Sequence, residues 1–162
     1  MAETAWLNER EARAWRGLQM MQMRLTGALS RQLATDSQLS YPDYVVLVGL
    51  TEQEEGRLRL YELGHLLGWE KSRLSHHIAR MAQRGLVTKE ACDADRRGFH
   101  VVVTPAGRRA IKAAAPGHVD GVRRLFVDPL SPRQLDAIAS AADLVLAALD
   151  EAEVGCEEAE GN

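Results

Sequence analysis

The apolar positions in the first part of the chain repeat with the period of an α-helix. They are separated by three or four residues and predict one long helix over residues 8–35. The repeating positions are Leu18, Met21, Leu25, Leu29 and Leu33. Other apolar side chains widen the stripe beyond one face, and they are Ala14, Trp15, Met20, Met23 and Ala28. A helix that is apolar over so wide an arc must bury two sides. The pattern favours contact with a partner subunit, and the core helix of a monomer is the alternative.

A helix, a short strand and a second short helix are predicted after this segment. Ser40 can cap a helix that has Pro42 in its first turn and extends to about Glu54. A short strand is expected over residues 57–60. The next helix spans 61–67, and three leucines are expected to point inward from it: Leu63, Leu66 and Leu67.

Gly68 leads into a basic amphipathic helix at 71–84, and a hairpin follows. The helix contains four Lys or Arg residues and no acidic residue. Two short runs of strand-forming residues, 86–88 and 99–104, enclose a charged turn. Two short helices joined by a glycine turn, the second of them basic, followed by a hairpin, are typical of a winged helix-turn-helix that binds DNA.

A helical wheel divides this basic helix into two sides. At about 100° per residue, Leu74, Ile78 and Met81 fall together and face the core. Small polar residues on the other side can approach base edges, and the flanking arginines can reach phosphates or guanine. Arginines in the hairpin turn can enter an adjacent minor groove. The predicted DNA-contacting residues are Lys71, Ser72, Arg73, Ser75, His76, Arg80, Arg84, Arg96 and Arg97. Taken alone, the basic helix or the hairpin turn could simply be a solvated charged surface. This alternative is weakened because the two elements would lie on the same face of the domain.

Two further helices are predicted after the hairpin. Thr104 and Pro105 begin the first, and Pro116 is expected to kink or interrupt it before Pro129 ends it. Ser131 and a following proline begin the last helix. Its apolar positions have heptad spacing, which suits packing against another helix. These positions are Leu135, Ile138, Ala142, Val145 and Leu149.

The whole chain is therefore interpreted as a mainly α fold with a small β-hairpin wing. Residues 8–35 and 105–150 are expected to form a helical dimerisation region, and 41–104 the winged helix-turn-helix. Residues 151–162 are expected to be an acidic, disordered tail. From residue 150 onward there are six acidic residues and no basic one, so a chain of net charge −3 carries +3 without that stretch. The local basic face needed for phosphate binding is thus compatible with an acidic chain.

Several classes of protein are excluded by what the sequence lacks. It has no apolar run long enough to cross a membrane and no signal-peptide pattern, so a cytoplasmic, nucleoid-associated location is expected. No phosphate-binding loop or hydrolase motif occurs, and neither an enzyme nor a cofactor is expected. Cys92 and Cys156 form no disulfide framework, and no histidine, cysteine or acidic cluster has metal-ligand spacing.

The central stretch resembles the MarR (multiple antibiotic resistance regulator) family of bacterial transcriptional regulators. The matching motifs are RLRLYELGHLLGWEKSRLSHHIARMAQRGLV, the Asp-Arg-Arg-Gly turn at 95–98, and VVVTPAGRRAI at the exit into the next helix. The resemblance covers about residues 10–150. It implies a homodimer with interlocked terminal helices that represses transcription from a roughly palindromic double-stranded operator. Many relatives place an arginine where this chain has His76, in the basic helix at 71–84 that would read the DNA (the reading helix). This difference leaves the base preference open.

The resemblance also implies a small aromatic or phenolic effector, bound between the dimer helices and the winged domain. The candidate pocket residues are Trp15, Arg16 and His77. Two alternatives stay open: a redox- or metal-responsive regulator of the same fold, and a winged-helix module that binds a protein and no DNA. Acidic neighbours of Cys92 oppose the thiolate that a redox switch would need. The basic reading helix disfavours the protein-binding module.

Overall fold

The computed structural model of the chain describes residues 5–91 and 99–160, with residues 153–160 as helical backbone. It has two compact units, residues 1–121 and 122–162. The elements of the first unit are α1 (Glu9–Asp36), α2 (Tyr41–Thr51), β1 (Arg57–Arg59), α3 (Leu60–Leu67), α4 (Lys71–Gln83), β2 (Val87–Ala91), β3 (Phe99–Val103) and α5 (Pro105–Val122). The second unit contains a π-helical turn (Arg123–Val127) and α6 (Pro132–Glu160).

Reciprocal side-chain caps fix the starts of α1 and α2. The Asn8 side chain accepts from the backbone N–H of Glu11 at 3.0 Å, and the Glu11 carboxylate accepts from the N–H of Asn8 at 2.9 Å. Ser40 and Asp43 make the same pair of contacts at 3.2 and 2.9 Å. Each pair satisfies two donors that the first helical turn leaves unpaired. The predicted Ser40 cap is confirmed, and α2 ends at Thr51, one turn before the predicted end.

The three strands form an antiparallel sheet in the order β1-β3-β2. Val87 pairs with Val103 and Ala91 with Phe99, while Arg57 of β1 pairs with Val102. Together with α3 and α4, this sheet forms a winged helix-turn-helix, as predicted. The predicted short strand at 57–60 is confirmed as β1.

Glycines in the left-handed conformation bound α4 at both ends. Gly68 has φ 61° and Gly85 has φ 71°, a region that L side chains rarely adopt. Gly68 lets the chain leave α3, so that the N–H of Trp69 reaches back to the carbonyl of Gly64 at 2.9 Å. Beyond Gly85, the N–H of Leu86 reaches the carbonyl of Met81 at 3.0 Å. The two turns therefore fix the length and direction of α4.

The core lies where α2, α3, α4 and the sheet meet. Its fully buried side chains include Val46, Leu47, Leu50, Leu63, Leu74, Ile78, Met81 and Val101. The prediction that Leu66 points inward is wrong, since 53% of this residue is exposed. Leu66 lies against Gly49 of α2, which has no side chain to enclose it, at the edge of an open groove.

The predicted interruption at Pro116 is also wrong, because α5 continues through it to Val122, while the alternative of a kink stays a prediction. A proline inside a helix removes one internal hydrogen bond. The turn after the proline contacts α1: the Gln32 amide donates to the carbonyl of Gly117 at 2.5 Å, and Gly121 packs so closely on Gln32 that a Cβ would collide with it. These contacts hold the second half of α5 against α1.

In the second unit, the predicted start of α6 at Ser131 is confirmed. The Ser131 N–H donates to Gln134 Oε1 at 2.9 Å, and the Ser131 hydroxyl accepts from the N–H of Gln134 at 3.4 Å. The helix is described through Glu160, so residues 151–160 are helical where a disordered tail was predicted. Among the described residues, no helix combines the length and apolarity needed to cross a bilayer.

Candidate nucleic-acid interface

Helix α4 presents an apolar face to the core and a polar, basic face to solvent. Leu74, Ile78 and Met81 are completely buried, as the helical wheel predicted. Ser75 is partly buried, and the exposed residues of the predicted DNA set on α4 are Lys71, Ser72, Arg73, His76 and Arg80. The structure thus brings these residues together on one helix, with the small side chains between the long basic ones.

A buried carboxylate from α2 anchors the inner side of α4. Asp43 is 2% exposed and lies 3.1 Å, through Oδ1, from Nε2 of His77, which is itself 7% exposed. Its other oxygen, Oδ2, accepts from Nη1 of Arg84 at 2.6 Å. A buried charge is stable only when it is paired and hydrogen-bonded. Asp43 therefore ties the start of α2 to both the middle and the end of α4.

These contacts control the ionisation of Asp43. Burial by itself would raise the pKa of its carboxyl group. The contacts with His77 and Arg84, together with those from Ser40, outweigh burial and hold the pKa well below its usual value of 3.8. Asp43 is therefore ionised in the folded protein at neutral pH.

Arg84 has a different place from the rest of the predicted DNA set. Its guanidinium binds Asp43 and also donates to the carbonyl of Gln38 at 2.5 Å. Two of its nitrogens are thus committed to the loop before α2 and to the first turn of that helix. These bonds support a structural role for Arg84, and its predicted contact with DNA stays a prediction.

His77 is joined to Arg80 and Trp69 as well as to Asp43. The guanidinium Nη2 of Arg80 lies 3.1 Å from His77 Nδ1. Trp69 meets the imidazole edge to face, with ring centroids 5.5 Å apart and an interplanar angle of 86°. The guanidinium of Arg73 lies over the same indole at 4.5 Å from its centroid, a cation–π distance. Two exposed arginines of α4 therefore contact a pair of packed rings, of which His77 is buried and Trp69 partly buried.

The wing is described as far as its strands. Lys89 of β2 lies over the ring of Phe99 on β3 at 4.8 Å, so a further cation lies on the hairpin. The predicted contact residues Arg96 and Arg97, and the candidate redox residue Cys92, lie outside the described residues. Their predicted roles stay predictions.

Of the predicted effector residues, Trp15 and Arg16 are exposed on α1, whereas His77 belongs to the buried contacts of Asp43. Their predicted role in a pocket stays a prediction. A groove of about 320 Å³ lies beside α2. It is lined by Tyr41, Tyr44, Val45, Val48, Gly49, Glu52, Leu66, Leu67 and His118. No group of His, Cys, Asp and Glu suited to a metal ion occurs in the part of the chain that the structure describes.

His118 gives this groove its polar centre. Its ring lies 4.2 Å from that of Tyr44 and 6.3 Å from that of Tyr41, centroid to centroid. Nδ1 is buried and has no hydrogen-bond partner among the described residues. Burial lowers the pKa of His118 below its ordinary value, so the ring is neutral at neutral pH. The groove is thus lined by aromatic rings, and the unpaired nitrogen of His118 lies just beneath its surface.

Sequence reasoning missed Asp43 and the groove. Ser40 and Asp43 have the three-residue spacing of a capping box, which could have marked Asp43 as a local cap. Its link to His77 and Arg84, more than 30 positions away, leaves no trace in a local pattern. Tyr41 and Tyr44 could have been noted as neighbours on one side of α2, but their contact with His118 depends on the tertiary fold.

Comparison with known proteins shows close relatives of this fold. A family model described as the transcriptional regulator SarA/Rot matches residues 28–114. AbsC, a MarR family transcriptional regulator from Streptomyces coelicolor, is 38% identical with a TM-score of 0.83, covering 91% of this chain and 99% of AbsC. Sco3205, a MarR family regulator from the same organism solved in complex with DNA, is 36% identical with a TM-score of 0.82, covering 88% of this chain and 89% of Sco3205.

A more distant match shares the fold. BpsR of Bordetella bronchiseptica, whose DNA binding is regulated by 6-hydroxynicotinic acid, is 22% identical with a TM-score of 0.72 and covers 88% of this chain and 97% of that one. No curated protein sequence matches significantly.

The depressed pKa of Asp43 predicts how folding stability depends on pH. The ionised carboxylate stabilises the folded state, and this contribution is fully present above the pKa of about 3.8 that Asp43 has in the unfolded chain. The contribution is lost as the pH falls toward the lower pKa of the folded state. Asp43→Asn removes the charge that faces buried His77 and the partly exposed Arg84, and it should cost about 3 kcal/mol at pH 7. It should also flatten the loss of stability below pH 4. Urea unfolding at pH 7, 5, 4 and 3 measures both effects.

The control is Asp143→Asn, a change at an exposed position of α6. It should leave the unfolding free energy and its pH dependence within experimental error of the parent protein. Equal acid dependence in the parent and in Asp43→Asn would contradict the assigned ionisation.

Proposed function

Because this chain belongs to the MarR family of transcriptional regulators, we propose that it represses transcription as a homodimer bound to a pseudo-palindromic operator. It is a DNA-binding regulator, as its family is, and the relatives named above are regulators. The observation that carries the proposal is the division of α4 into a buried apolar side and an exposed basic side next to a wing. Binding to DNA would place the protein on the nucleoid in the cytoplasm.

The exposed face of α4 suits insertion into a major groove. Ser72 and His76 are exposed between longer cationic side chains and can approach base edges, while Lys71 and Arg73 can neutralise phosphates. Arg80, which is exposed although it is bonded to buried His77, can do either. Two such helices would read half-sites about 34–36 Å apart, one turn of the duplex. Sco3205, a relative 36% identical to this chain, was solved in complex with DNA, which supports DNA binding by this chain.

The exposed apolar face of α1 supports dimerisation. Large apolar side chains on this helix are between 39% and 64% exposed, a cost that a monomer in water does not need to bear. They are Trp15, Leu18, Met20, Met21 and Met23. Exposed apolar residues also occur on α6, namely Leu144, Val145, Leu146 and Leu149. We infer that a second copy of the chain covers these faces.

We propose the groove beside α2 as a second candidate site, besides the predicted Trp15–Arg16–His77 pocket, for an effector of phenolic type. Tyr41 and Tyr44 can stack on a planar ring, and Nδ1 of His118 can bond a hydroxyl group. The one charged group in the lining is Glu52, which would repel an anion. A neutral phenol therefore fits this groove better than an aromatic carboxylate. Binding would release DNA if the groove differs between free and DNA-bound dimers.

The proposed DNA face predicts the effect of removing its arginines. Arg73→Ala and Arg80→Ala should each weaken binding to a duplex selected from a random pool by roughly tenfold or more, with the dimer intact. Each change removes one cation per protomer, so the salt slope of a dimer should fall by about 2 where the arginine contacts phosphate. Fluorescence anisotropy at several salt concentrations measures both quantities. Arg133→Ala, at an exposed arginine of α6, is the control and should match the parent; unchanged affinity in both α4 variants would refute the proposed face.

The proposed dimer predicts the effect of a charge on α1. Leu18→Glu places a carboxylate in the apolar face and should shift the protein to monomers in sedimentation analysis, because burying an unpaired charge is costly. Gln83→Glu adds the same charge at an exposed position of α4, outside the apolar faces of α1 and α6, and should leave the dimer intact. A monomeric parent, or equal dimerisation of the two variants, would exclude this interface.

The proposed effector site is tested with p-cresol and 4-hydroxybenzoate, which differ in a methyl group and a carboxylate. p-Cresol should lower DNA affinity, and His118→Phe should abolish its effect while preserving DNA binding, because the acceptor nitrogen is lost. 4-Hydroxybenzoate should have a weaker effect on account of Glu52. Equal inhibition by p-cresol of the parent and of His118→Phe would place the site elsewhere.

A further inference from the structure

We propose that His77 is a positioning residue, which orients Arg80 for DNA contact while Asp43 holds the imidazole from the other side. The inference rests on the proposed function, in which Arg80 belongs to the DNA-contacting face. It adds a role for two buried side chains that touch no DNA. A series of contacts leads from the core of the winged domain to its exposed surface, through the carboxylate, the imidazole and the guanidinium.

The chemistry of arginine fixes which atom donates and which accepts in this series of contacts. A guanidinium group has donors and no acceptor, so His77 Nδ1 must accept the bond from Arg80 Nη2 at 3.1 Å. Nε2 therefore carries the proton and faces Asp43 Oδ1, also at 3.1 Å. Nε2 has no aligned hydrogen-bond partner among the described residues, so its contact with Asp43 is electrostatic, and the negative charge of the carboxylate favours the proton on the nitrogen that faces it. The carboxylate thus keeps the acceptor nitrogen of His77 turned toward Arg80.

The surroundings of His77 leave its ring little freedom. Trp69 packs edge to face against it, and the residue is 7% exposed. Arg84 occupies Oδ2 of Asp43, which leaves Oδ1 for His77. The fixed ring gives a long, exposed arginine one bound nitrogen and leaves its other N–H groups available. An arginine ordered before DNA arrives loses less conformational entropy on binding.

Two substitutions separate the contact of His77 with Asp43 from its contact with Arg80. His77→Gln can place an amide N–H near the position of Nε2 and keep the contact with Asp43, but it removes the acceptor at the position of Nδ1. His77→Asn can supply an acceptor at that position and is too short to reach Asp43. If positioning of Arg80 is the role of His77, the asparagine variant should retain more of the contribution of Arg80 than the glutamine variant.

The experiment is a set of double-mutant cycles on DNA affinity, which measures coupling between side chains. Arg80→Ala is combined with the parent, His77→Gln and His77→Asn, and binding to the selected duplex is measured by anisotropy. We expect a loss of roughly tenfold or more in the parent, less than about threefold with His77→Gln, and an intermediate loss with His77→Asn. Lys71→Ala is the matched control and should cost the same in all three backgrounds.

The outcomes distinguish this inference from the proposed function. Equal losses from Arg80→Ala in all three backgrounds would overturn the positioning role and leave DNA binding standing. Failure of the parent protein to select any duplex would refute the proposed function itself. A measurement on the parent protein alone guards against unfolded variants: ¹⁵N NMR should show that the neutral ring of His77 carries its proton on Nε2 and not on Nδ1. The opposite tautomer would also overturn the inference.

Discussion

The carboxylate of Asp43 is the interaction on which the placement of α4 depends. It is buried at the first turn of α2, where Ser40 binds it as part of a helix cap, and its two oxygens face His77 and Arg84 of the reading helix and its end. Without those partners, burial of the charge would be prohibitive. The same contacts that stabilise the charge therefore hold α4 against α2, in addition to the apolar packing of Leu74, Ile78 and Met81.

Because of this anchoring, the two faces of α4 have different roles. The inner face is fixed by packing and by a satisfied carboxylate, so the outer face is free to carry residues that suit DNA. Arg73 and Arg80 begin on the outer face but rest on Trp69 and His77 beneath it. The basic surface is thus attached to the core through two aromatic rings. An effector in the groove beside α2 would act on the same helix that carries Asp43.

The elements that depend on local pattern could be predicted from the sequence, and those that depend on tertiary contacts could not. The helical period of residues 18–33, the cap at Ser40 and the glycine turn at Gly68 gave the order of the elements. The periodicity could not show that Leu66 lies over Gly49 in an open groove, nor that α5 continues past Pro116 and packs there on Gln32. Arg84 looked like another basic residue of the reading face. Its bond to Asp43 joins positions 41 residues apart, which no local pattern records.

The most direct test of this account is a crystal structure of the protein bound to its selected duplex. The account predicts one α4 in each of two successive major grooves, with Arg80 bonded at once to His77 Nδ1, near the present 3.1 Å, and to a phosphate or a base. It predicts also that Asp43 keeps both His77 and Arg84. A complex in which Arg80 has turned away from His77 to reach DNA, or in which α4 lies outside the groove, would contradict it.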